Sequence, residues 1–270
     1  MNIIIFDTET LGFNSQDLLN VGYRIVDIDL FTKSYSVLCE RDMLDLNLWS
    51  AIKKFASHKG CLEQDIESIL ASQFLPQSKM KEYETLLKNK EIERHNIKRI
   101  FEIMQEDMKR YSVVFAYAYN CNFDIDKFEK TALKYNIPNP LKDIPIFDIW
   151  AYATNYICNT EDYISWAREN KIFTQTELYI STSVESVMKY LLQDLTFVES
   201  HTALSDTQWE TKILAHCFMK GCDITKNEKR NSYISSGKIF HKKIVTPNGE
   251  IVEFDYQKTI NRTTTEYHYE

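Results

Sequence analysis

A chain of 270 residues, 44% hydrophobic and 13% aromatic, holds enough apolar material for one large core or for a domain with an appendage. Its formal net charge of −7 argues against a broad electropositive face gripping duplex DNA through many phosphates, though not against acidic groups that metal ions neutralise. No apolar run approaches the roughly eighteen residues that a membrane span needs, and the N-terminal stretch turns acidic at Asp7, so a cytoplasmic protein with no signal peptide and no membrane partner is expected.

The first predicted elements are strands. NIIIF reads as a buried one, LLNVGYRIVDID alternates apolar and polar residues, and KSYSVLC returns after a turn at DLFTK. Over residues 45–110 the period changes to three and four, as in IKRIFEIMQEDMKRY, with acids and bases nearly balanced, which predicts a helical block. SVVFAYAY is a further strand. FDIDKFEKTALKY is an amphipathic helix with Ile125, Phe128, Ala132 and Tyr135 inward, stopped by the prolines of NIPNPLKDIP. FDIWAYATNY reads as helical, STSVESVMKYLLQ carries a capping-box pattern in Thr182 and Glu185, and ALSDTQWETKILAHCFMK is the last helix. From residue 226 to 243 six basic residues face one acid, KKIVTPNGEIVEF predicts a hairpin turning at Asn248-Gly249, and NRTTTEYHYE reads as a frayed end. The six cysteines form no C-x-x-C pair and have no His-rich neighbourhood, so they are read as reduced, mostly buried thiols. Strands first, then helices interleaved with another strand, favour an α/β fold with a mixed sheet covered by helices.

Three short stretches carry carboxylates in positions that suit chemistry. In IIIFDTETLG, Asp7 and Glu9 share one face of a strand and lie where it leaves the core. The bland alternative is an aspartate opening a turn, and Asp65-Ile-Glu67 shows that such pairs also arise on solvated faces. In AYAYNCNFD, Asp124 opens a helix, where an acid also serves free backbone N–H groups, and Asp126 is read as plain surface. In ESHTALSD, His201 and Asp206 are roughly 140° apart on a regular helix, so they share a site only if His201 precedes the helix with Thr202 as its N-cap. Ser205 and Gln208 offer a competing capping box that would leave Asp206 structural. Together, four carboxylates and one histidine from separated segments are what two divalent cations and an in-line attack on a phosphodiester require. Carboxylate oxygens suit Mg2+ and Mn2+.

The ordered set FDTET-x-G, N-x-x-F-D and H-x-x-x-x-D resembles the DEDD superfamily of 3′–5′ exonucleases, in its histidine-bearing DEDDh branch, over roughly residues 1–220. The resemblance implies a ribonuclease-H-like sheet, two Mg2+ or Mn2+ ions held by Asp7, Glu9, Asp124 and Asp206, and His201 as general base. It places an exonuclease domain at residues 1–222, with a helical insertion at about 45–110, and a basic extension at 223–270. Thr10, Leu11, Phe13 and Asn120 are the expected substrate contacts, and the basic stretch reads as a track for the strand's backbone, a solvated face or a docking segment. Asp148, where such proteins often carry an acid, is read as structural. Departures from the pattern are Tyr119 where a histidine often precedes the asparagine, Leu11 in place of a common threonine, and a longer first-to-second motif separation.

The expected activity is release of nucleoside 5′-monophosphates from the 3′ end of nucleic acid, single-stranded DNA in the first instance, either in proofreading beside a DNA polymerase or as a free-standing trimming enzyme. The alternatives are a 3′–5′ exoribonuclease and a non-catalytic nucleic-acid-binding or polymerase-docking scaffold of the same fold. A haloacid-dehalogenase-like phosphatase would want a second aspartate where Glu9 stands and a downstream lysine motif that is not evident.

Overall fold

The computed structural model describes residues 1–11, 17–58, 77–200, 202–230, 233–245, 251–260 and 265–269. The chain divides into two compact units, Met1–Tyr152 with Val198–Glu228, and Ala153–Phe197 with Lys229–Glu270.

The first unit is built on strands β1 (Asn2–Thr10), β2 (Leu18–Asp29), β3 (Ser34–Asp45), β4 (Glu93–His95), β5 (Phe115–Ala118) and β6 (Ile146–Asp148). They form one sheet in the order β4-β3-β2-β1-β5-β6. β2 runs antiparallel to β1 and β3, whereas β5 is parallel to β1, β6 to β5 and β4 to β3. Helices α1 (Leu46–His58), α2 (Gln77–Asn89), α3 (Ile97–Arg110), α4 (Asn122–Tyr135) and α8 (Ala203–Met219) belong to the same unit. This mixed sheet flanked by helices is the α/β architecture expected of a ribonuclease-H-like fold.

Strand alternation sorts the residues of β1 onto two faces. Ile4 and Phe6 join the core with Phe101 of α3 and Phe128 of α4, where the Phe6 and Phe128 rings meet edge to face at 5.7 Å. Ile5 instead borders a small cavity with Thr211, Leu214 and Phe218 of α8. Asp7 and Glu9, two and four residues on, therefore point to the α8 side. α8 can approach that closely because β2 carries Gly22 opposite Asp7, and a Cβ at Gly22 would collide with the backbone of Ala203 and Leu204. Gly22→Ala should consequently push the start of α8 off the sheet, costing ~1–3 kcal/mol of stability in a urea titration. An unchanged midpoint would show that the close approach does not matter.

A polar network, buried at Tyr23 and Asp107 and reaching the surface at Glu93, braces the far side of the sheet. Tyr23 of β2 donates to Asp107 of α3 at 2.7 Å, and Arg41 of β3 donates to the same carboxylate at 3.0 Å and to Glu93 of β4 at 2.9 Å. The predicted helical block thus contains an edge strand. Three residues, ERH, are too few to show a period of two, and β3 supplies the backbone partners that make them a strand.

In the second unit, a single π-helical turn (Thr154–Cys158) precedes α6 (Glu161–Glu169), followed by α7 (Val184–Leu192). The rings of Tyr163, Trp166 and Tyr190 cluster with centroids 5.0 to 5.6 Å apart. The N-cap of α7 is Ser183, whose hydroxyl accepts the Ser186 N–H, rather than the predicted Thr182. The stretch FDIWAYATNY is only partly helical, since Ile146–Asp148 pairs with β5 before the short helix α5 (Ile149–Ala153). At the C-terminal end, β7 (Ile239–Val245), β8 (Ile251–Ile260) and β9 (Thr265–Tyr269) form an antiparallel sheet. The predicted hairpin therefore gains a third strand from the segment read as frayed, because β8 offers a second edge to pair with; the Asn248-Gly249 turn lies outside the described residues. Among the described residues no helix is long and apolar enough to cross a membrane. Cys121, Cys158, Cys217 and Cys222 are buried and Cys39 is half-buried, while Cys61 lies outside the described residues.

Candidate metal centre

The carboxyl end of β1 delivers Asp7 opposite Gly22 and Glu9 opposite Asn20, and the ladder shifts just beyond, between Glu9 and Thr10. Asp206 arrives from the first turn of α8. One carboxylate oxygen from each of Asp7, Glu9 and Asp206 lies within 4.8 Å of the other two. Two residues of one strand and one from a helix almost two hundred positions later are thereby brought to a single point.

The helix start is fixed from two directions. Thr202 is the N-cap, and its N–H donates to Ser205 Oγ at 3.3 Å, so Ser205 serves inside the first turn and does not open the helix. Asn20 of β2 holds the next residue, its Oδ1 accepting the Ala203 N–H at 3.1 Å. The same amide donates to Asp42 Oδ1 at 2.5 Å and to the Met43 carbonyl at 3.0 Å, while the Tyr83 hydroxyl donates to Asn20 Oδ1 at 3.2 Å. Asn20 is fully buried with every polar direction used, which leaves α8 little freedom to slide and keeps Asp206 over the strand end.

Asp124 enters from the first turn of α4. It is buried, and its Oδ1 accepts the Thr8 hydroxyl at 2.6 Å. Thr8 lies between Asp7 and Glu9 on β1 and points to the opposite face, so the strand grips the fourth carboxylate with the residue between its own two acids. Asp124 is not one of the three mutually closest groups, yet of all nearby charges it raises Asp7 the most.

Negative charge outweighs positive around the site, where Lys79 is the cation that acts on Glu9 and Asp42. Burial pushes the Asp7 carboxyl well above the usual carboxylate range, and repulsion from Asp124, Glu210, Asp206 and Glu9 adds to it. Glu9 is raised by burial to about 7, against the pull of Lys79. Burial likewise lifts Asp124 to about 7 despite the hydrogen bonds from Thr8. Asp42, at the edge of the site, is raised by burial to about 6.

Glu210 is a fifth carboxylate, one helical turn beyond Asp206 and on the same face. It is buried, and burial followed by repulsion from Asp124 and Asp206 holds it well above its ordinary range. Its Oε2 has no hydrogen-bond partner among the described residues. An orphaned buried oxygen beside crowded carboxylates is costly unless a cation stands nearby. All of these donors are hard oxygens, so the residues present fit Mg2+ or Mn2+.

Of the remaining predicted contacts, Leu11 is 4% exposed and packs with Trp49 and Ile52, so its side chain is core rather than presented to solvent; its apolar character is better used there. Thr10 is half-buried at the strand end. Asn120 takes the left-handed conformation at φ 61°, a conformation asparagine tolerates, and its N–H donates to Asp148 Oδ1 at 2.9 Å. The same oxygen accepts the Trp150 N–H at 3.0 Å, so Asp148 ties the ends of β5 and β6 together. Tyr119 stacks on Trp150 at 5.9 Å and 18°. His201 and Phe13 lie outside the described residues. In the basic segment, Lys226 pairs with Asp223 at 2.7 Å, and Lys238 lines a cleft of about 610 Å³ in the second unit with Arg168 and Lys171.

Sequence reading missed Glu210, Asn20, Thr8 and Lys79. A polar Asn20 and a glycine two residues later, within the buried run LLNVGY, are the local signal for a strand that another element approaches. Glu210 had one too, as an acid one turn from Asp206 on the face that continues into Ile213, Leu214 and Cys217.

No family model matches the chain, and no curated protein matches it in sequence. Among solved structures it is similar, at 10% identity and a TM-score of 0.47, to one described as "3'-end specific recognition of histone mRNA stem-loop by 3'-exonuclease", over 100% of this chain and 98% of that one.

Proposed function

We propose that the chain is a metal-dependent 3′–5′ exonuclease that hydrolyses the terminal phosphodiester of a single-stranded nucleic acid, DNA in the first instance, and releases nucleoside 5′-monophosphates. The observation that carries this reading is the convergence of Asp7, Glu9 and Asp206 within 4.8 Å, with Asp124 bound to the same strand through Thr8. Divalent cations in such a site would supply positive charge where it develops on the attacking and departing oxygens. Asp7, Glu9, Asp124 and Asp206 would hold them, Asp7 centrally, since it feels the other three acids. Thr8 holds Asp124 to β1, and Asn20 keeps Asp206 over the strand.

His201, adjacent to the helix cap Thr202, is assigned the proton-accepting role, which asks for a neutral imidazole and a pKa near the working pH. Thr10, Phe13 and Asn120 are assigned to the terminal nucleotide.

Labelled single-stranded DNA and RNA, incubated with Mg2+, Mn2+ or chelator, test the reading. Mononucleotides should accumulate from the 3′ end only with metal, and the ratio of the two rates names the natural polymer. Tight binding without any mononucleotide release would favour the scaffold alternative. His201→Ala should lower turnover by ~10²–10⁴-fold with oligonucleotide affinity nearly unchanged, the range general-base removal commands. A loss confined to affinity would remove His201 from the proton-accepting role.

A further inference from the structure

We propose that Lys79, carried into the carboxylate site by the helical insertion, is a substrate-binding residue whose ammonium contacts a phosphate of the bound strand. The assignment rests on the nuclease reading above and deepens it.

Lys79 lies in the first turn of α2, where no acid is present. A cation there opposes the helix dipole, and its i,i+3 pairing with Glu82 offsets that only weakly. Its side chain is 15% exposed, and Nζ passes over the Tyr83 ring at 5.4 Å from the centroid. Nζ ends 3.8 Å from Glu9 Oε1 and 3.8 Å from Glu82 Oε2. Both separations give Coulomb attraction but exceed hydrogen-bond length. The buried ammonium accordingly has no hydrogen-bond partner among the described residues, although it offers three donors.

A buried cation with unused donors is costly by itself. Here it is aimed at Glu9, the same carboxylate that a divalent ion would engage. Once Glu9 is so engaged, its attraction for the ammonium falls and the two cations repel each other. An anionic oxygen between them relieves the repulsion and satisfies the donors. In a phosphodiesterase the group with that charge and those acceptors is the phosphate of the substrate or of the released nucleoside 5′-monophosphate. The insertion thus supplies a phosphate contact that the sheet cannot, because the strand ends around the site present acids.

Calorimetry on the full chain tests this. Mn2+ is titrated alone, then thymidine 5′-monophosphate, uridine 5′-monophosphate and unphosphorylated thymidine are titrated at saturating Mn2+. Lys79→Met should weaken both monophosphates about tenfold or more, as expected for loss of a charged hydrogen bond, with Mn2+ affinity unchanged or tighter. Lys79→Arg, which keeps the charge on a larger planar head, should retain more monophosphate affinity than Lys79→Met, and neither variant should melt below wild type. Equal monophosphate affinity in Lys79→Met, or a parallel loss of Mn2+ affinity and melting temperature, would overturn the assignment, the latter identifying a structural counter-ion. Should the wild type release mononucleotides normally while Lys79→Met binds monophosphates like wild type, only the lysine assignment fails. If the wild type binds neither Mn2+ nor monophosphate, the nuclease reading falls and the assignment with it.

Discussion

Asp7→Asn should reduce metal-dependent mononucleotide release by on the order of 10³-fold, the scale seen when one preorganised electrostatic group is lost from an active site. The substitution keeps the shape of the side chain and removes the charge at the centre of the cluster. Asp7 is the carboxylate on which repulsion from Asp124, Glu210, Asp206 and Glu9 falls together. The same variant should melt higher than wild type in chelator, because neutralising it relieves those four repulsions. For a domain of this size, each kcal/mol relieved raises the midpoint by about 2–4 °C. Activity and stability therefore move in opposite directions, which a merely structural aspartate would not produce. A variant that is both inactive and less stable in chelator would assign Asp7 to the fold.

The second large effect is a pH dependence that divalent ions reverse. An acid whose folded-state pKa is raised binds its proton more tightly when folded, so its contribution to stability is fully present below the unfolded pKa and is lost as pH rises through the folded value. For Glu9 the window runs from 4.5 to about 7, equivalent to roughly 3 kcal/mol. Asp124, raised to about 7, Asp7 and Glu210 act in the same direction. In chelator the protein should be markedly more stable to urea at pH 5.5 than at pH 8. Mn2+ added at pH 8 should restore stability, by about 2.7 kcal/mol at a hundredfold excess over its dissociation constant. Glu9→Gln should flatten the chelator profile, which separates the cluster from other titrating groups such as His216, whose pKa burial lowers. Stability that climbs from pH 5.5 to pH 8 in chelator would contradict the crowding of carboxylates on which the metal reading stands.

Both effects arise from groups whose placement was only partly legible in the primary structure. The alternation in IIIFDTET was enough to put Asp7 and Glu9 on one face, because side-chain direction in a strand has a period of two whatever surrounds it. The apolar period announced the helices that carry Asp124 and Asp206, but the caps did not settle their starts: Cys121 makes no side-chain cap bond, and Ser205 with Gln208 competed with Thr202. Tyr135 was misassigned to the inner face of its helix; it is 47% exposed, and its hydroxyl reaches Asp17 at 3.1 Å, an ion-paired partner that the helix period does not reveal.

The amino-acid order by itself determined which faces of β1, α4 and α8 would carry acids, and that the chain is an α/β protein, because periodicity acts within a few residues. Only the tertiary structure decided that those three faces meet. It did so through Gly22, which lacks the Cβ that would hold α8 away, through Asn20, which anchors the first turn of that helix, and through Thr8, which holds Asp124 to β1. It also made Glu210 and Lys79 part of the site, since the significance of a charge depends on what excludes water around it. Burial is a property of the packed molecule, which no local run of residues encodes.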